Sequence, residues 1–590
     1  MHLAIVDWVV IALFFIITMV VGLMVSRKSG STSSEFFLGG RSMPWWLLGV
    51  SMVATTFSAD TPNLVTDIVR TSGVAGNWAW WAFLLTGMLT VYVYAKLWRR
   101  SGITTDLEFY EMRYSGWEAS FLRGFRAIYL GVFFNVMIMA TVMLAGIKIS
   151  GILLGLSPVT TVLIVSIVTV IYSSLGGFKG VIYTDFFQFA LAMIGMVWAS
   201  FYIVNMPEIG GLTQLLSHPA VTPKLDFLPD LNNMEVLVPL LIIPVAVQWW
   251  SVWYPGAEPG GGGYIAQRML SAKNEKNAIA ATLLFNVAHY ALRPWPWILI
   301  ALASLIVFPT LDSIQTAFPG INPDFVKDDL AFSAMLSFLP AGLLGIVIAA
   351  LIAALMSTIS THLNWGSSYI VNDFYQRFVN PFAKETELVN VGRISTVVLM
   401  ILAAIFALLL TNALQAFNIL LQIGAGTGLL FILRWFWWRI NAMSEIVAMI
   451  VSFLIAVIME IGVKEQLASH EKLVIGVLLT TIAWVVTALV TKPTDDKVLI
   501  QFYKTIRPHG MGWKPVISQG MANGSITQEH TKTGKLSTEV LMMFLGGIGI
   551  YSLLFGTGYI IYGQMANAAI AFVIALFVGV SLKKLWVNIE

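Results

Sequence analysis

The chain is a succession of apolar stretches, most about twenty residues long, cut by short polar joints. About twenty apolar residues in a helix cross the hydrocarbon layer of a bilayer. Inside that layer every backbone N–H and C=O must find a partner within the protein, so each stretch reads as a helix. The pattern predicts about fifteen spans, at roughly 5–25, 45–65, 77–97, 120–147, 157–175, 181–204, 235–255, 278–309, 332–360, 388–411, 413–435, 441–462, 473–491, 538–562 and 565–583. A joint at Thr411-Asn412 separates the tenth from the eleventh. Composition agrees. The chain is 58% hydrophobic and 11% charged, with a mean hydropathy of +0.81, where a soluble domain carries roughly 25% charge. The expected class is an all-α polytopic membrane protein.

Charge placement then orients the spans. Arg27 and Lys28 follow the first span, whereas a cleavable signal peptide has its basic residues in front. The first span is therefore expected to be retained, with the N-terminus outside. Alternating from there puts all but seven of the 34 Lys and Arg on the cytoplasmic side. Arg70, Lys148, Lys224, Lys327, Lys464 and Lys472 fall outside, and Arg293 is left within a span. The C-terminus, after Lys583-Lys584, is expected inside, in a plasma membrane such as the bacterial inner membrane. The 492–537 segment is the only sizeable cytoplasmic loop and 310–331 a modest outer one. Neither is long enough to suggest a further domain.

Several chemistries drop out. With no cysteine there is no disulfide, thiol catalysis or Cys-based metal site. A dispersed net charge of +3 and the lack of a nucleotide cradle argue against nucleic acid. No nucleophile–base or metal constellation suggests an enzyme.

Two spans look interrupted. In WWLLGVSMVATTFSADTPNLVTDIVRTSG, Pro62 cannot donate to the helix ladder and disfavours a helical Thr61. Asp60 beside it should face protein or water. The seventh span carries Pro244 and breaks at Pro255-Gly256. Four spans lie between them. Broken helices at matching places in two five-helix units point to a transporter with inverted repeats; the other reading is two ordinary proline kinks.

The ninth span, around AALIAALMSTISTHLNWGSSYIVNDFY (349–375), turns polar at Ser357-Thr358. Ala354, three and four residues earlier, shares their helical face. Two hydroxyl oxygens and a backbone carbonyl suit a hard cation such as sodium. The alternative is back-bonding to the preceding turn and close helix packing.

FFLGGRSMPWWLLGVSMVATTFSAD (36–60), SSLGGFKGVIYTDFFQ (173–188), YIAQRMLSAKN (264–274), AALIAALMSTISTHLN (349–364) and FWWRINAMSEI (436–446) together resemble the sodium:solute symporter family. The resemblance implies a leucine-transporter-like fold: a leading helix (1–30), core repeats at 36–204 and 235–435, and trailing helices over 436–590 that include loop 492–537. It implies sodium as the coupling ion. By position, the family's principal sodium site falls on the carbonyls of Ala54 and Phe57 and on Ala354, Ser357 and Thr358. Asp185, in YTDFFQ, matches an acidic residue that in some members binds another sodium or guides its release. Near the cytoplasmic end of its span, Asp185 could equally be an ordinary helix-start residue.

The solute site is less legible. Thr56, Asp60 and Thr61 border the first break, and Gln248 with Trp249-Trp250 the second. Asn286, His289, Tyr290 and Arg293 form one helical stripe, which should face the bundle or a cavity. The second core helix reads WAWWAF (78–83) where sugar-carrying members hold a carboxylate, and GAEPGGGG (256–263) is inserted at the second break. The function expected is sodium-driven import of a small polar solute, a sugar or sugar derivative favoured. The other readings are a sodium- or proton-coupled amino-acid or organic-acid transporter, and a non-pumping channel or sensor on the same fold.

Overall fold

The computed structural model describes residues 3–26, 32–251, 258–410, 424, 426–462, 467–531 and 534–586. Its main helices, in chain order, are α1 (Ile5–Ser26), α2 (Trp45–Thr56), α3 (Asp60–Ser72), α4 (Val74–Ser101), α5 (Trp117–Leu154), α6 (Pro158–Ile171), α7 (Gly177–Val204) and α8 (Met234–Ala246). They continue as α9 (Gly263–Ser271), α10 (Glu275–Val307), α11 (Leu343–Val379), α12 (Glu385–Leu409), α13 (Ala442–Ile461), α14 (Ser469–Val490), α15 (Asp496–Ile506), α16 (Leu536–Ile561) and α17 (Met565–Trp586). Ten helices among the described residues are long and apolar enough to cross a membrane, and four shorter apolar ones accompany them. The expected Thr411-Asn412 joint and the Pro255-Gly256 break lie outside the described residues.

The fifth and sixth expected spans are one run bent at Gly177, whose φ of 53° and ψ of −160° an L side chain rarely adopts. This run packs along α11, and α1 lies against both. The two ends of the bundle are closed by ion pairs. Arg70–Asp328 (2.7 Å) and Lys148–Asp329 (2.8 Å) tie one end. At the far end of α4 and beyond are Arg100–Glu275 (2.9 Å), Arg123–Asp373 (2.7 Å) and Lys179–Glu35 (2.6 Å).

Burial draws a distinction among the cations that the charge count did not. Arg113, Arg126, Arg268 and Arg434, counted with the cytoplasmic cations, are as buried as Arg293. They hold partners within the fold, so position along the chain alone misjudged their depth. Loop 492–537 is also more than a connection. Trp513 is fully buried, donates from Nε1 to the Trp435 carbonyl (2.9 Å) and lies under the Arg113 guanidinium at 4.9 Å.

The leading helix has a specific hold on α11. Buried Asp7 Oδ1 accepts from the Gly342 (2.7 Å) and Gly345 (2.8 Å) N–H groups at the start of α11. These are donors that a helix cannot satisfy from within, and an acid there also meets the positive end of the helix dipole. Replacing Asp7 with Ala should cost about 1–3 kcal/mol, read as a lowered unfolding temperature in detergent. Asp7→Asn, which keeps an acceptor oxygen, should lose distinctly less.

Candidate ion and solute site

The break in the first core helix is short. α2 ends at Thr56, Phe57 leaves helical geometry at φ −86°, ψ 74°, and α3 starts at Asp60. Pro62 is not the breaking residue. It sits in the first turn of α3, where a missing N–H is tolerated. Phe57 N–H still donates to the Val53 (2.9 Å) and Ala54 (3.1 Å) carbonyls.

α11 crosses at this break. The Thr358 hydroxyl is within donating distance of the Thr55 carbonyl (2.8 Å) and the Ala354 carbonyl (3.1 Å). Back-bonding within α11 and bridging to α2 therefore both occur at Thr358. Ser357 instead reaches across, donating to Asp185 Oδ1 at 2.6 Å. Asp185 is fully buried in α7 and also accepts from Ser51 of α2 at 2.5 Å, which sets aside the helix-start reading. Arg268 of α9 completes the cluster. Its Nη2 lies 3.6 Å from Asp185 and donates to Thr361 (2.9 Å) and Thr55 (3.2 Å), while its Nε donates to Ser51 (3.0 Å). Ala54, Phe57, Ala354, Ser357 and Thr358 are all buried around this crossing. Neither Ser51 nor Arg268 was singled out from sequence. The available signal was an arginine on a short helix rich in apolar residues.

Beside the crossing is a cavity of about 200 Å³. Of the expected solute residues, Thr56, Asp60, Thr61, His289, Tyr290 and Arg293 line it. Arg293 donates to Thr56 Oγ1 (3.2 Å) and the Val53 carbonyl (3.4 Å), meets His289 Nε2 at 3.2 Å and lies over the Trp297 ring at 5.3 Å. An arginine cannot accept, so His289 Nε2 does, and the ring donates from Nδ1 to Thr56 at 3.0 Å. Among the described residues, the hydrogen-bond partners of Arg293 are Val53, Thr56 and His289, and Asp60 is not one of them.

Three expected residues are not brought to the cavity. The Gln248 amide donates to the Ala79 carbonyl (2.7 Å), and the Trp249 carbonyl accepts from Thr86, so both are held against α4. Asn286 faces Gly87 of α4 and donates to Thr282 (2.8 Å), one turn from the stripe's other members. The helical stripe was real, but only His289, Tyr290 and Arg293 of its four members open on the cavity. Trp80, Tyr264, Lys148 and Asp329 line it without having been proposed.

A profile of the sodium:solute symporter family matches residues 36–452. The chain belongs to the sodium:solute symporter family. It is a multi-pass membrane transporter rather than an enzyme, and sodium is its coupling ion. Among its relatives in that family is the sodium/glucose cotransporter of Vibrio parahaemolyticus, 26% identical over 84% of this chain and 92% of that one. The sodium/sialic acid symporter of Proteus mirabilis is also 26% identical, over 81% and 94%. A solved Na+-coupled sialic acid symporter, substrate-bound and outward-open, superimposes with a TM-score of 0.67 at 23% identity, over 83% of this chain and 99% of that one. The symporter thus has the leucine-transporter-like fold.

Arg293→Lys keeps a charge but not the planar fork that reaches both Thr56 and His289. Its unfolding temperature in detergent should fall by several degrees and its apparent solute KM should rise, with sodium affinity near wild type. An unfolding curve and a KM both unchanged would mean the fork is idle.

Proposed function

We propose that this symporter imports a sugar or sugar derivative by alternating access, with sodium held where α2 and α11 cross. The observation that carries the reading is the Thr358 hydroxyl, set between the Thr55 and Ala354 carbonyls at the helix break. The proposed ligands are the carbonyls of Ala54, Phe57 and Ala354 and the hydroxyls of Ser357 and Thr358. An all-oxygen set around a break suits a hard monovalent cation with no proton chemistry. Asp185, in contact with α2 and α11 through Ser51 and Ser357, is proposed as a second sodium ligand or a station on the exit route.

The sugar reading is supported by relatives named for glucose and sialic acid and by the Trp80–Tyr290 stack on the cavity wall. The proposed setting is a plasma membrane, the bacterial inner membrane being the natural one, with the N-terminus outside and the C-terminus cytoplasmic. The proposed division of the chain is a leading helix over 1–30, core repeats over 36–204 and 235–435, and trailing helices over 436–590. Sodium entering from outside would be assisted by the membrane potential, at about 2.3 kcal/mol per charge per 100 mV.

The test is uptake into liposomes with and without a sodium gradient. Replacing Ser357 and Thr358 together with Ala removes two oxygens from an alanine-rich helix, and sodium-driven uptake should collapse while the protein stays folded. Sodium dependence equal to wild type in that double variant would refute the ligand set. Asp185→Asn should weaken apparent sodium affinity about tenfold or more, the scale of one hydrogen bond to a charged group. The ranking of competing solutes should stay the same. A sodium titration unmoved by Asp185→Asn, with pH dependence altered instead, would favour a proton as the coupled ion.

A further inference from the structure

The inserted segment at the second break is used by neither the ion site nor the solute cavity. Its described part, 258–263, is a strap in which every residue is buried. Gly260 (φ 86°) and Gly261 (φ 96°) have backbone angles that only glycine adopts freely. A Cβ on Gly260 would lie 2.9 Å from the Tyr94 ring, and one on Gly261 would strike Met269. The strap is thus pressed against α4 and, from Gly260 to Gly263, brings no side chain of its own. Its Gly260 carbonyl accepts from Trp98 Nε1 (2.8 Å), and its Gly263 N–H donates to Asp106 Oδ2 (2.9 Å) in the joint between α4 and α5. Beside Asp106, Thr105 donates to Asp373 (2.6 Å), the partner of Arg123. The next residue after the strap, Tyr264, lines the cavity. The strap therefore lies between the cavity and the bundle end closed by Arg123–Asp373, the inner end on the proposed orientation.

Glu258 holds the other end of the strap. One of its oxygens accepts from Arg126 of α5 and the other from Arg434 at 2.8 Å, with all three side chains buried. Glycines bury little apolar area, so what resists lifting is mainly this charge-assisted hold. Arg434 also has a second station. Glu445 Oε1 of α13 is 3.5 Å from its Nη1, and Glu445 Oε2 is closed to solvent with no hydrogen-bond partner among the described residues. Arg126 lies over the Tyr110 and Phe431 rings at 5.4 and 5.0 Å. Breaking a buried ion pair is costly when it strands a charge; here both guanidiniums keep a partner if Glu258 leaves. We propose that the strap 258–263 is the inner barrier of the transport path and that Glu258 is its latch. Bound to Arg126 and Arg434, Glu258 shuts the path; with Arg434 shifted onto Glu445, the strap swings out on its glycines and the solute leaves. The proposal rests on the alternating-access reading and is independent of which solute is carried. The strap runs into α9, which carries Tyr264 at the cavity and Arg268 at the Asp185 cluster. One displacement therefore loosens the solute and ion regions together.

The chain has no cysteine, so a single introduced one reports access. Buried Thr90 of α4 has its methyl 3.5 Å from where a Gly261 Cβ would lie. Thr141 is half-buried and lines the cavity, and Thr480 is fully buried in α14. Thr90→Cys, Thr141→Cys and Thr480→Cys are made singly, and their alkylation by a water-soluble maleimide is timed in nanodiscs. Adding Glu258→Gln should speed labelling of Thr90→Cys about tenfold or more, the scale of one hydrogen bond to a charged group. It should slow labelling of Thr141→Cys and leave Thr480→Cys unchanged. Glu258→Asp keeps the charge and should give a smaller rise at Thr90→Cys. Gly260→Ala unseats the strap with the charges intact and should act like Glu258→Gln; it carries the test if Glu258→Gln does not fold. Labelling of Thr90→Cys unmoved by Gly260→Ala overturns the barrier, and labelling unmoved by Glu258→Gln overturns the latch. Thr90→Cys and Thr480→Cys speeding up together would be general loosening of a destabilised protein, and overturns the latch as well. Faster labelling of Thr90→Cys with Thr141→Cys not slowed would mean a path open at both ends, so that the latch stands and alternating access fails.

Discussion

Within the hydrocarbon layer there is no water to bond a carbonyl that has left its helix, so a break there survives only if protein or cargo occupies the freed groups. The interruption between Thr56 and Asp60 is governed by that constraint. Phe57 turns back on Val53 and Ala54, and Thr358 from α11 serves the Thr55 carbonyl. The crossing of α2 and α11 is thereby fixed at one point, and much of the site is arranged about it. Ser357, one residue away from Thr358, is aimed at Asp185. Thr56, one residue beyond Thr55, is aimed at His289 and Arg293.

A second constraint is the buried charge. Arg268 and Asp185 lie 3.6 Å apart with neither side chain exposed. Arg434 meets Glu258 at 2.8 Å, and Arg126 contacts the same carboxylate. Such pairs are weak net contributors to stability, because desolvation offsets much of their attraction, yet removing one partner is strongly destabilising. Their effect is on geometry. Asp185 is bonded by Ser51 and Ser357 and faces Arg268, so α2, α9 and α11 must all be in place around α7 before its charge is matched.

Hydropathy was enough to read the fold class and the ninth helix with its paired hydroxyls, because the bilayer forces a long apolar run on every crossing helix. It was not enough for depth. Arg268, Arg126 and Arg434 look like cytoplasmic cations along the chain, and only contacts between helices distant in sequence reveal their burial. The same holds for the solute residues. Periodicity placed Asn286, His289, Tyr290 and Arg293 on one stripe, but where the stripe leaves the helix contact and meets the cavity depends on the partner, here Gly87 facing Asn286. Gln248 failed for a related reason: a residue near a break has a free side chain in sequence, whereas in the fold the Ala79 carbonyl takes it.

Coupling between ion and solute requires an element that both bias, and the end of α2 has that property. Thr55 and Thr358 line the same cavity as Asp60 and Arg293. On the proposed assignment, sodium and solute therefore act through adjacent residues, Thr55 on the ion side and Thr56 on the solute side. A cation that takes the Thr358 oxygen fixes α2 against α11, and this holds Thr56 where Arg293 and His289 can bond it. Solute bound to Arg293 orders the same turn from the other side. Each ligand then raises the affinity of the other by the same factor, since the coupling free energy is shared. The drive is set by charge alone: one sodium per cycle at 100 mV supplies about 2.3 kcal/mol, roughly a 50-fold concentration ratio before any sodium gradient is added. What the helix break must supply is fidelity, so that α2 moves with both ligands or with neither. A single turn bonded on both flanks achieves this more tightly than two sites joined by a long run of packing, because no intervening contact has to relay the change.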